Sequence, residues 1–522
     1  MSRLLRSGAI FSAMTMISRV LGLVRDAVFA RYFPVDGAYE AFLVAFRIPN
    51  LLRRLVAEGA FSLAFVPVLS EYKKKRTPEE LKDLIDHVAG TLGVILLVIS
   101  VIGIIASPLI ISGFAAGFEG KAGARPELAV DLLRITFPYI LFISLSALIA
   151  GILNTFHHFA IPSLTPVLLN IVLIASAIWA APLFADPVTA LAWGVLLGGI
   201  VQLAFQLPFV HRLGLLPKPK FKRGHKGVKK IMKLMAPAIV GSSAAQINLL
   251  LNTFIASFLA VGSMGWLYYS DRFVELPLAL FGVAIGTVIL PKLSQDYADS
   301  NAAQGESGFS KTLDWAMRLG MLIALPATVG LVILAMPILA TVIGYGAFTW
   351  QDVQMSTLSL MTYALGLPAF ILVKILAPGF YSRQDTKTPV KIGLIAIAAN
   401  MLLNVAIVLP WFMGGYAGAH AGLALSTALA AYINAGLLLY LLRKKAIFHM
   451  QKGWMLYLAK ILLATGLMAG AMIFLIPNPS WWQQAEALDK VLWLFGLILL
   501  ALTSFFASLY VLRLNVRQLL RH

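Results

Sequence analysis

Long apolar runs separated by short polar segments make up most of the chain. An α-helix needs about 20 apolar residues to cross a hydrocarbon core roughly 30 Å thick, and fourteen runs meet or approach that length. The pattern predicts an all-α integral membrane protein with 14 transmembrane helices. The predicted spans are 8–33, 37–71, 82–113, 127–156, 162–183, 188–211, 230–259, 265–295, 310–343, 352–381, 389–411, 417–442, 453–476 and 489–512.

The chain also repeats itself internally. FVPVLSEY at 65–72 matches ILPKLSQDY at 289–297, and GILNTFHHFAIP at 151–162 parallels GFYSRQDTKTP at 379–389. Each of the latter two is followed by a Leu-Leu-Asn triplet. These matches keep the same order, so they predict two six-helix lobes in a pseudo-symmetric repeat, with the substrate site between them. The predicted divisions are an N-terminal lobe at 1–211, a basic linker at 212–229, a C-terminal lobe at 230–445 and two extra helices with a tail at 446–522.

Composition and charge agree with a membrane protein. Of the 522 residues, 60% are hydrophobic and 12% charged, and the formal net charge is +19. The basic residues concentrate in loops on one predicted side, which is how the positive-inside rule orients a chain. We therefore expect both termini and the 212–229 linker to be cytoplasmic, and we expect no nucleic-acid partner. The chain has no cysteine, which excludes disulfides and thiolate chemistry.

Charged residues inside the first two spans are the main functional signal. Arg19 lies about 18 Å along a helix that begins near residue 7, at roughly 1.5 Å per residue, so it is close to the bilayer centre. A charge there is costly and normally faces a watery cavity. Snorkelling is the alternative, especially for Arg25 and Arg31. The arginines of the second span could instead pair with Glu40 and Glu58 at i,i+7 and i,i+4 spacing. Because arginines outnumber acids here, the stretch predicts an anion site. The charged residues are Arg19, Arg25, Asp26, Glu40, Arg47, Arg53, Arg54 and Glu58.

The second half has its own charged stretch in the eighth span. Asp271, Arg272 and Glu275 share one helical face by their spacing. This predicts a fourth cationic arm at Arg272, with a self-neutralised structural network as the alternative. Pro49 and Pro277 interrupt their helices near these charges, as broken helices that line a cavity do.

Other candidate chemistry is sparse. Asn248, Asn252, Asn400 and Asn404 predict either a cation site of amide oxygens or hydrogen bonds between helices. The histidines show no metal-ligand spacing; those considered are His87, His157, His158, His211, His225 and His449. We find no Walker loop, no nucleophile elbow and no paired acids in a polar domain, so an enzyme or an ATP-driven pump is not expected.

Several segments resemble the MurJ (MviN) family of bacterial lipid II flippases. They are SRVLGLVRDAVFARYF, PNLLRRLVAEGAFSLAFVPVLSEY, YYSDRFVELP and APGFYSRQDTKTPVKI. The resemblance implies a fold of the MOP exporter superfamily, with two six-helix lobes around a V-shaped cavity and a lipid-tail groove at helices 13 and 14. It also implies a protein of the bacterial inner membrane. The substrate would be lipid II, an undecaprenyl-diphosphate-linked disaccharide pentapeptide, moved to the periplasmic leaflet by alternating access for peptidoglycan synthesis. Membrane lipids and the peptidoglycan synthesis machinery are the expected partners.

The resemblance also implies roles for individual residues. The family's cavity arginines match Arg19, Arg25, Arg53 and Arg272. Its gate-forming residues match Ser18, Asp26, Asn50, Glu58, Asp271 and Glu275. Glu40 departs from the family, in which aspartate is frequent at this position. Some relatives use sodium. The predicted cation cluster here, Asn252, Asn400 and Asn404, contains no acid, and this weighs against sodium coupling in this chain. No organic cofactor is expected, and the driving force would be a monovalent cation or the membrane potential.

Three other functions are weighed against this hypothesis. A cation-coupled drug exporter of the same superfamily would need acids in excess in its cavity, whereas this chain has arginines. A membrane glycosyltransferase would need catalytic carboxylates near a large outer loop, and no predicted outer loop is long. A flippase for another polyprenyl-diphosphate-linked glycan stays an alternative, and only the detailed motifs weigh against it.

Overall fold

Every regular element in the described part of the chain is helical. The computed structural model describes residues 3–55, 61–221, 224–298 and 305–514. In these ranges, eleven helices are long and apolar enough to cross a membrane. They coincide with eleven of the fourteen predicted spans: Pro78–Ile105, Pro126–Thr155, Ala160–Leu183, Val188–Arg212, Ser263–Ala298, Gly308–Ile333, Trp350–Tyr381, Lys387–Met413, Ala419–Lys444, Trp454–Leu475 and Ala487–Val511.

The chain divides into two compact units. The first comprises 1–265 with 346–348, and the second comprises 266–345 with 349–522. The helices of the first unit are α1 (Arg3–Tyr32), α2 (Gly37–Arg53), α3 (Ser62–Lys75), α4 (Pro78–Ile105), α5 (Ser107–Phe114), α6 (Pro126–Thr136), α7 (Tyr139–Thr155), α8 (Ala160–Ala175), α9 (Val188–Arg212) and α10 (Lys226–Phe258).

The second unit begins within α11 and contains the remaining helices. They are α11 (Ser263–Pro277), α12 (Ala284–Ala298), α13 (Gly305–Ile333), α14 (Ala335–Val342), α15 (Trp350–Leu365), α16 (Leu367–Tyr381), α17 (Lys387–Leu403), α18 (Leu409–Met413), α19 (Ala419–Lys444), α20 (Trp454–Leu475), α21 (Pro479–Gln484) and α22 (Ala487–Val511). Helices α20 and α22, which lie outside the predicted repeat, pack against each other and against α13 and α14 respectively.

The boundary between the units differs from the boundary predicted between the lobes. The sequence places residues 230–265 in the C-terminal lobe, but α10 packs against α3, α4 and α5 and belongs to the first unit. Lys230 donates to Glu71 Oε2 at 2.5 Å. Near the other end of α10, Gly117 N donates to Ser257 Oγ at 3.0 Å. The repeat relation between the two lobes stays a prediction.

Capping residues explain where several helices begin. Asp36 accepts hydrogen bonds from the N–H groups of Ala38 and Tyr39 and so caps α2. Thr77 and Glu80 form a reciprocal capping box at α4, and Thr349 forms one with Asp352 at α15. Each cap satisfies N–H groups that have no partner within the helix.

Within the part of the chain that the structure describes, complete π-helical segments lie at Ser176–Ala180, Leu278–Val283 and Asn404–Val408. The second follows Pro277 directly, so the helix is interrupted where the proline predicts it. Pro49 lies inside α2, which continues to Arg53. Segments of this kind inside α-helices are frequent at functional sites.

Candidate substrate-binding residues

Arg25 lies in a polar network between α1 and α8. Its Nη2 donates to Asp26 Oδ1 at 2.6 Å, and its Nη1 donates to Asn170 Oδ1 at 3.0 Å. Asn170 Nδ2 in turn donates to the backbone oxygen of Ser18 at 3.2 Å. The guanidinium also lies over the ring of Phe29, 5.6 Å from its centroid. The network therefore fixes the orientation of Arg25, and the buried carboxylate of Asp26 offsets part of its charge.

Arg19 lies on the same helix with a different environment. It is half-buried, and its neighbours Ile17 and Val20 are exposed. Among the described residues, no carboxylate lies within salt-bridge distance of its guanidinium. A cation that is not paired within this part of the chain is suited to an anionic ligand.

Arg53 and Asn50 lie in the last turns of α2. Arg53 Nε donates to Asn50 Oδ1 at 3.0 Å. A neutral amide orients the guanidinium, and this contact does not itself cancel its charge. Glu58, the predicted gate residue beyond them, lies outside the described residues, and so does its predicted pairing with Arg54.

Glu40 is fully buried in the first turn of α2, and its partners are not those the spacing predicted. Its Oε1 accepts hydrogen bonds from Gly262 N and Met264 N, both at 2.9 Å. Its Oε2 lies 3.7 Å from Lys121 Nζ. The alternative pairing with Arg47, which the spacing allowed, is not formed, because the carboxylate points to the segment between α10 and α11. Arg47 Nη1 instead donates to Thr253 Oγ1 at 2.7 Å.

Lys121 completes this arrangement from the loop after α5. Its Nζ donates to the backbone oxygen of Ser257 at 3.3 Å, and burial lowers its pKa, while Glu40 opposes that shift. The Glu40–Lys121 pair thus ties α2 and this loop to the end of α10. The carboxylate of Glu40 connects α2 to neighbouring segments of the first unit. Its role in a gate stays a prediction.

The second unit contains the fourth predicted arginine. Arg272 Nη1 donates to Glu275 Oε2 at 3.1 Å, and its Cζ lies 4.8 Å from the ring centroid of Tyr268. The side chain of Asp271 is exposed. The guanidinium is held by a carboxylate and an aromatic face of its own helix. Arg19, Arg25 and Arg53 belong to the first unit, and a common binding site with Arg272 stays a prediction.

The predicted cation cluster is divided between the units. Asn252 lies on α10 in the first unit. In the second, Asn404 Nδ2 donates to Asn400 Oδ1 at 3.3 Å, and Asn400 Nδ2 donates to Thr427 Oγ1 at 3.5 Å. The contact with Thr427 joins α17 to α19, as the alternative of interhelical hydrogen bonding predicts.

Two residues of these networks were missed as site candidates. In the sequence, Asn170 stands out only as the end of a repeated Leu-Leu-Asn triplet, and Lys121 lies in a predicted loop with no other signal. A polar amide within an apolar run was a usable signal for Asn170, since such groups need a partner in a membrane. Nothing in the sequence indicated that Lys121 would fold back against Glu40.

Comparison with known proteins gives consistent results. Residues 29–488 match the family model described as lipid II flippase MurJ. The chain is 44% identical to a probable lipid II flippase MurJ of Vibrio cholerae over 99% of this chain and 98% of that protein. Among solved structures, it is similar to a lipid II flippase MurJ in an inward closed conformation. That match has a TM-score of 0.78 and 29% identity over 96% of this chain and all of the other. A multidrug resistance MATE transporter of the MOP superfamily matches in fold alone, with a TM-score of 0.67 and 15% identity over 84% of this chain and 98% of that one.

Proposed function

This chain belongs to the lipid II flippase MurJ family, and from that premise we propose that it moves lipid II from the cytoplasmic to the periplasmic leaflet of the bacterial inner membrane. The observation that carries the proposal is the family match, which spans nearly all of the chain. The family is one of lipid transporters rather than enzymes, and the all-helical membrane fold agrees with transport. The expected partners are lipid II, membrane lipids and the machinery of peptidoglycan synthesis.

The substrate explains why a cationic path through the membrane is needed. A diphosphate and a glycopeptide headgroup lose their hydration in hydrocarbon, which is costly without replacement contacts. Arginine binds phosphate oxygens through a planar fork, often in pairs of hydrogen bonds. We propose that Arg19, Arg25, Arg53 and Arg272 supply such contacts in turn during alternating access. Arg25 and Arg272, which have carboxylate partners, would exchange them for phosphate oxygens.

Fourteen transmembrane helices remain the proposed count. The three predicted spans that are not among the eleven apolar helices contain α1, α2 with α3, and α10. Helix α1 contains the charged residues Arg19, Arg25 and Asp26, yet its apolar run in the sequence is long enough to cross a membrane. Helix α2 has 17 residues, and residues 56–60 beyond it lie outside the described part of the chain. Charged residues within such a span are expected where a helix lines a wet cavity.

Helices α20 and α22 are the proposed site for the lipid tail. Trp454 and Tyr457 of α20 donate to Asp314 Oδ1 and the backbone oxygen of Arg318 on α13, which anchors α20 in the second unit. Large apolar side chains such as Leu463 and Phe495 stay exposed on these helices. An exposed apolar face is where a polyprenyl chain could lie while the headgroup crosses.

For the driving force we propose the membrane potential. Two of the three asparagines of the predicted cation cluster are engaged with each other and with Thr427, which favours their structural use. Removal of the sodium gradient should then leave transport unchanged in energised vesicles, whereas collapse of the potential should abolish it. The opposite pattern would favour cation coupling.

The proposed orientation has both termini in the cytoplasm. The cysteine-free chain allows single cysteines to be introduced at positions 220 and 480 without background labelling. An impermeant thiol reagent added to intact cells should label position 480 and not position 220. The reverse result would invert the topology.

Function is tested by depletion and complementation. The first arm measures sidedness: after rapid depletion, complete lipid II should accumulate in a pool protected from a headgroup-cleaving enzyme added outside spheroplasts. Wild-type protein should restore cleavage. A pool that stays fully cleavable from outside during depletion would contradict the proposal.

The second arm of this experiment tests the arginines. Alanine at position 19, 53 or 272 should fail to restore cleavage while the protein inserts at normal levels. Lysine should restore it only in part, because it lacks the planar fork. Arg125→Ala is the matched control and should restore function, since Arg125 lies in a loop and pairs with the partly exposed Asp186. Full function of all three alanine variants would remove these arginines from the mechanism.

A further inference from the structure

The segment between α9 and α10 is fixed to the first turns of α4. Lys218 N donates to Asp86 Oδ1 at 2.8 Å, and Lys220 N donates to the backbone oxygen of Asp86 at 3.0 Å. The approach is close: a Cβ added at Gly90 would lie 2.1 Å from the backbone oxygen of Lys220. The segment then leads to His225, whose Nδ1 accepts a hydrogen bond from Val228 N at the start of α10.

This docking brings three metal-ligating residue types together. Asp83 and His87 lie one turn apart on α4, and His225 approaches from the start of α10. Asp83 Oδ2 lies 3.3 Å from His87 Nδ1 and 3.5 Å from His225 Nε2. One donor atom from each residue lies within 4.8 Å of the other two. The cluster was not predicted from the sequence, because His225 is far from the other two residues along the chain.

We propose that Asp83, His87 and His225 bind a divalent transition-metal ion of the zinc class. In a tetrahedral zinc site with bonds of about 2.05 Å, ligand atoms lie about 3.3 Å apart. The two distances from Asp83 Oδ2 are close to that edge. Two imidazole nitrogens with one carboxylate oxygen suit Zn²⁺, Co²⁺ or Ni²⁺, whereas Mg²⁺ and Ca²⁺ prefer oxygen ligands alone. Water can complete the coordination, since 43% of the side-chain surface of Asp83 is accessible.

Metal binding exchanges existing contacts for metal bonds. His87 Nδ1 gives up its 2.8 Å contact with the backbone oxygen of Asp83. His225 uses its Nε2 lone pair and keeps the proton on Nδ1, so it gives up the hydrogen bond from Val228 N. The two rings, stacked with centroids 4.7 Å apart, tilt until both lone pairs point at the ion.

Lys220 competes with a metal ion for the carboxylate of Asp83. Its Nζ lies 3.4 Å from Asp83 Oδ1 and 3.5 Å from Asp86 Oδ2, and Lys82 also pairs with Asp86. An ammonium group beside the site repels a divalent cation and competes for the carboxylate. A bound ion would replace this contact with a stronger tie between α4 and the start of α10.

The test is a zinc titration of the purified full chain in detergent, with a purification tag that contains no histidine. After chelator treatment, ZnCl₂ should bind with one ion per chain, and MgCl₂ should not compete. Asp83→Asn and His87→Ala should each weaken zinc binding by tenfold or more. His158→Ala is the matched control, since His158 is exposed in the loop after α7 and pairs with no carboxylate among the described residues; it should leave binding unchanged.

A second variant separates ligation from damage to the fold. Lys220→Gln removes the competing cation, so it should tighten zinc binding, and CoCl₂ should give it the visible absorption bands of a low-symmetry nitrogen and oxygen site. A structural role alone predicts no gain of affinity from this change. Three results would each overturn the proposal. They are a wild-type chain that does not bind one zinc ion, Asp83→Asn and His87→Ala variants that bind zinc as tightly as the wild type, and a Lys220→Gln variant that binds it no more tightly.

Discussion

The buried pair of Glu40 and Lys121 allows a quantitative prediction about stability. Glu40 is fully buried and accepts two backbone N–H bonds, while the side chain of Lys121 is 14% exposed. Removing one partner of a buried pair leaves the other charge uncompensated and costs about 3–5 kcal/mol. We therefore expect Lys121→Met to lower the free energy of unfolding by about 4 kcal/mol.

Glu40→Gln should cost less than the lysine change. The amide oxygen of glutamine still accepts hydrogen bonds from Gly262 N and Met264 N. The variant therefore loses only the extra strength that the negative charge gives these two bonds, and the ion pair with Lys121. A hydrogen bond to a charged group contributes about 1.5–3 kcal/mol, and we expect a loss of about 2 kcal/mol. If the two changes were independent, the double variant would lose roughly 6 kcal/mol. Because it removes both charges together, we expect it to lose about 2 kcal/mol less than that sum.

The assay is reversible unfolding of purified protein in mixed detergent micelles, followed by tryptophan fluorescence. All four members of the cycle are measured, with Arg125→Met as the control. The Arg125–Asp186 pair is partly exposed, with 44% and 33% of the side-chain surfaces accessible. Exposed pairs contribute about 0–1 kcal/mol, so the control should be nearly neutral. Additive losses in the double variant, or a Lys121→Met variant as stable as the control, would show that Glu40 and Lys121 do not stabilise each other.

Two further predictions concern other polar networks. Asn170→Ala should lower both thermal stability and complementation, because it removes the acceptor that orients Arg25; an unchanged variant would show that Asp26 alone suffices. The pKa of Asp385 reflects burial, which raises it, and hydrogen bonds from Thr388 and Lys445, which outweigh burial and lower it below 3.8. Its contribution to stability is thus complete above pH 3.8 and is lost as the pH falls through the lower folded value. Asp385→Asn should flatten the acid limb of a stability–pH curve, and an identical curve would contradict this.

The lengths of the apolar runs were enough to locate most of the helices. Eleven of the fourteen predicted spans coincide with apolar helices of the structure, because a long apolar run has few alternatives to a membrane helix. The interruption at Pro277 was also predictable, since proline cannot continue the hydrogen-bond ladder. These features depend on local sequence alone.

Side-chain partners were less predictable, because they depend on which helix faces which. Spacing suggested Arg47 for Glu40, yet the carboxylate meets Lys121 and backbone N–H groups far along the chain. Arg25 was found as a charge in a membrane helix, whereas its partner Asn170 required knowledge that α1 packs against α8. The predicted boundary between the lobes stays a prediction, and the place of α10 in the first compact unit depends on its packing, which is a long-range property.

Transport of lipid II across a bilayer by this chain can be measured in a reconstituted system of purified components. Lipid II is incorporated in both leaflets of liposomes, and a membrane-impermeant enzyme that cleaves the headgroup is added outside. In protein-free vesicles the inner-leaflet pool should stay protected, since spontaneous crossing exposes a diphosphate to hydrocarbon. With the wild-type protein and an imposed membrane potential, we predict cleavage of the protected pool, and with Arg53→Ala we predict continued protection. A protected fraction that is the same with wild-type protein as without protein would contradict the account.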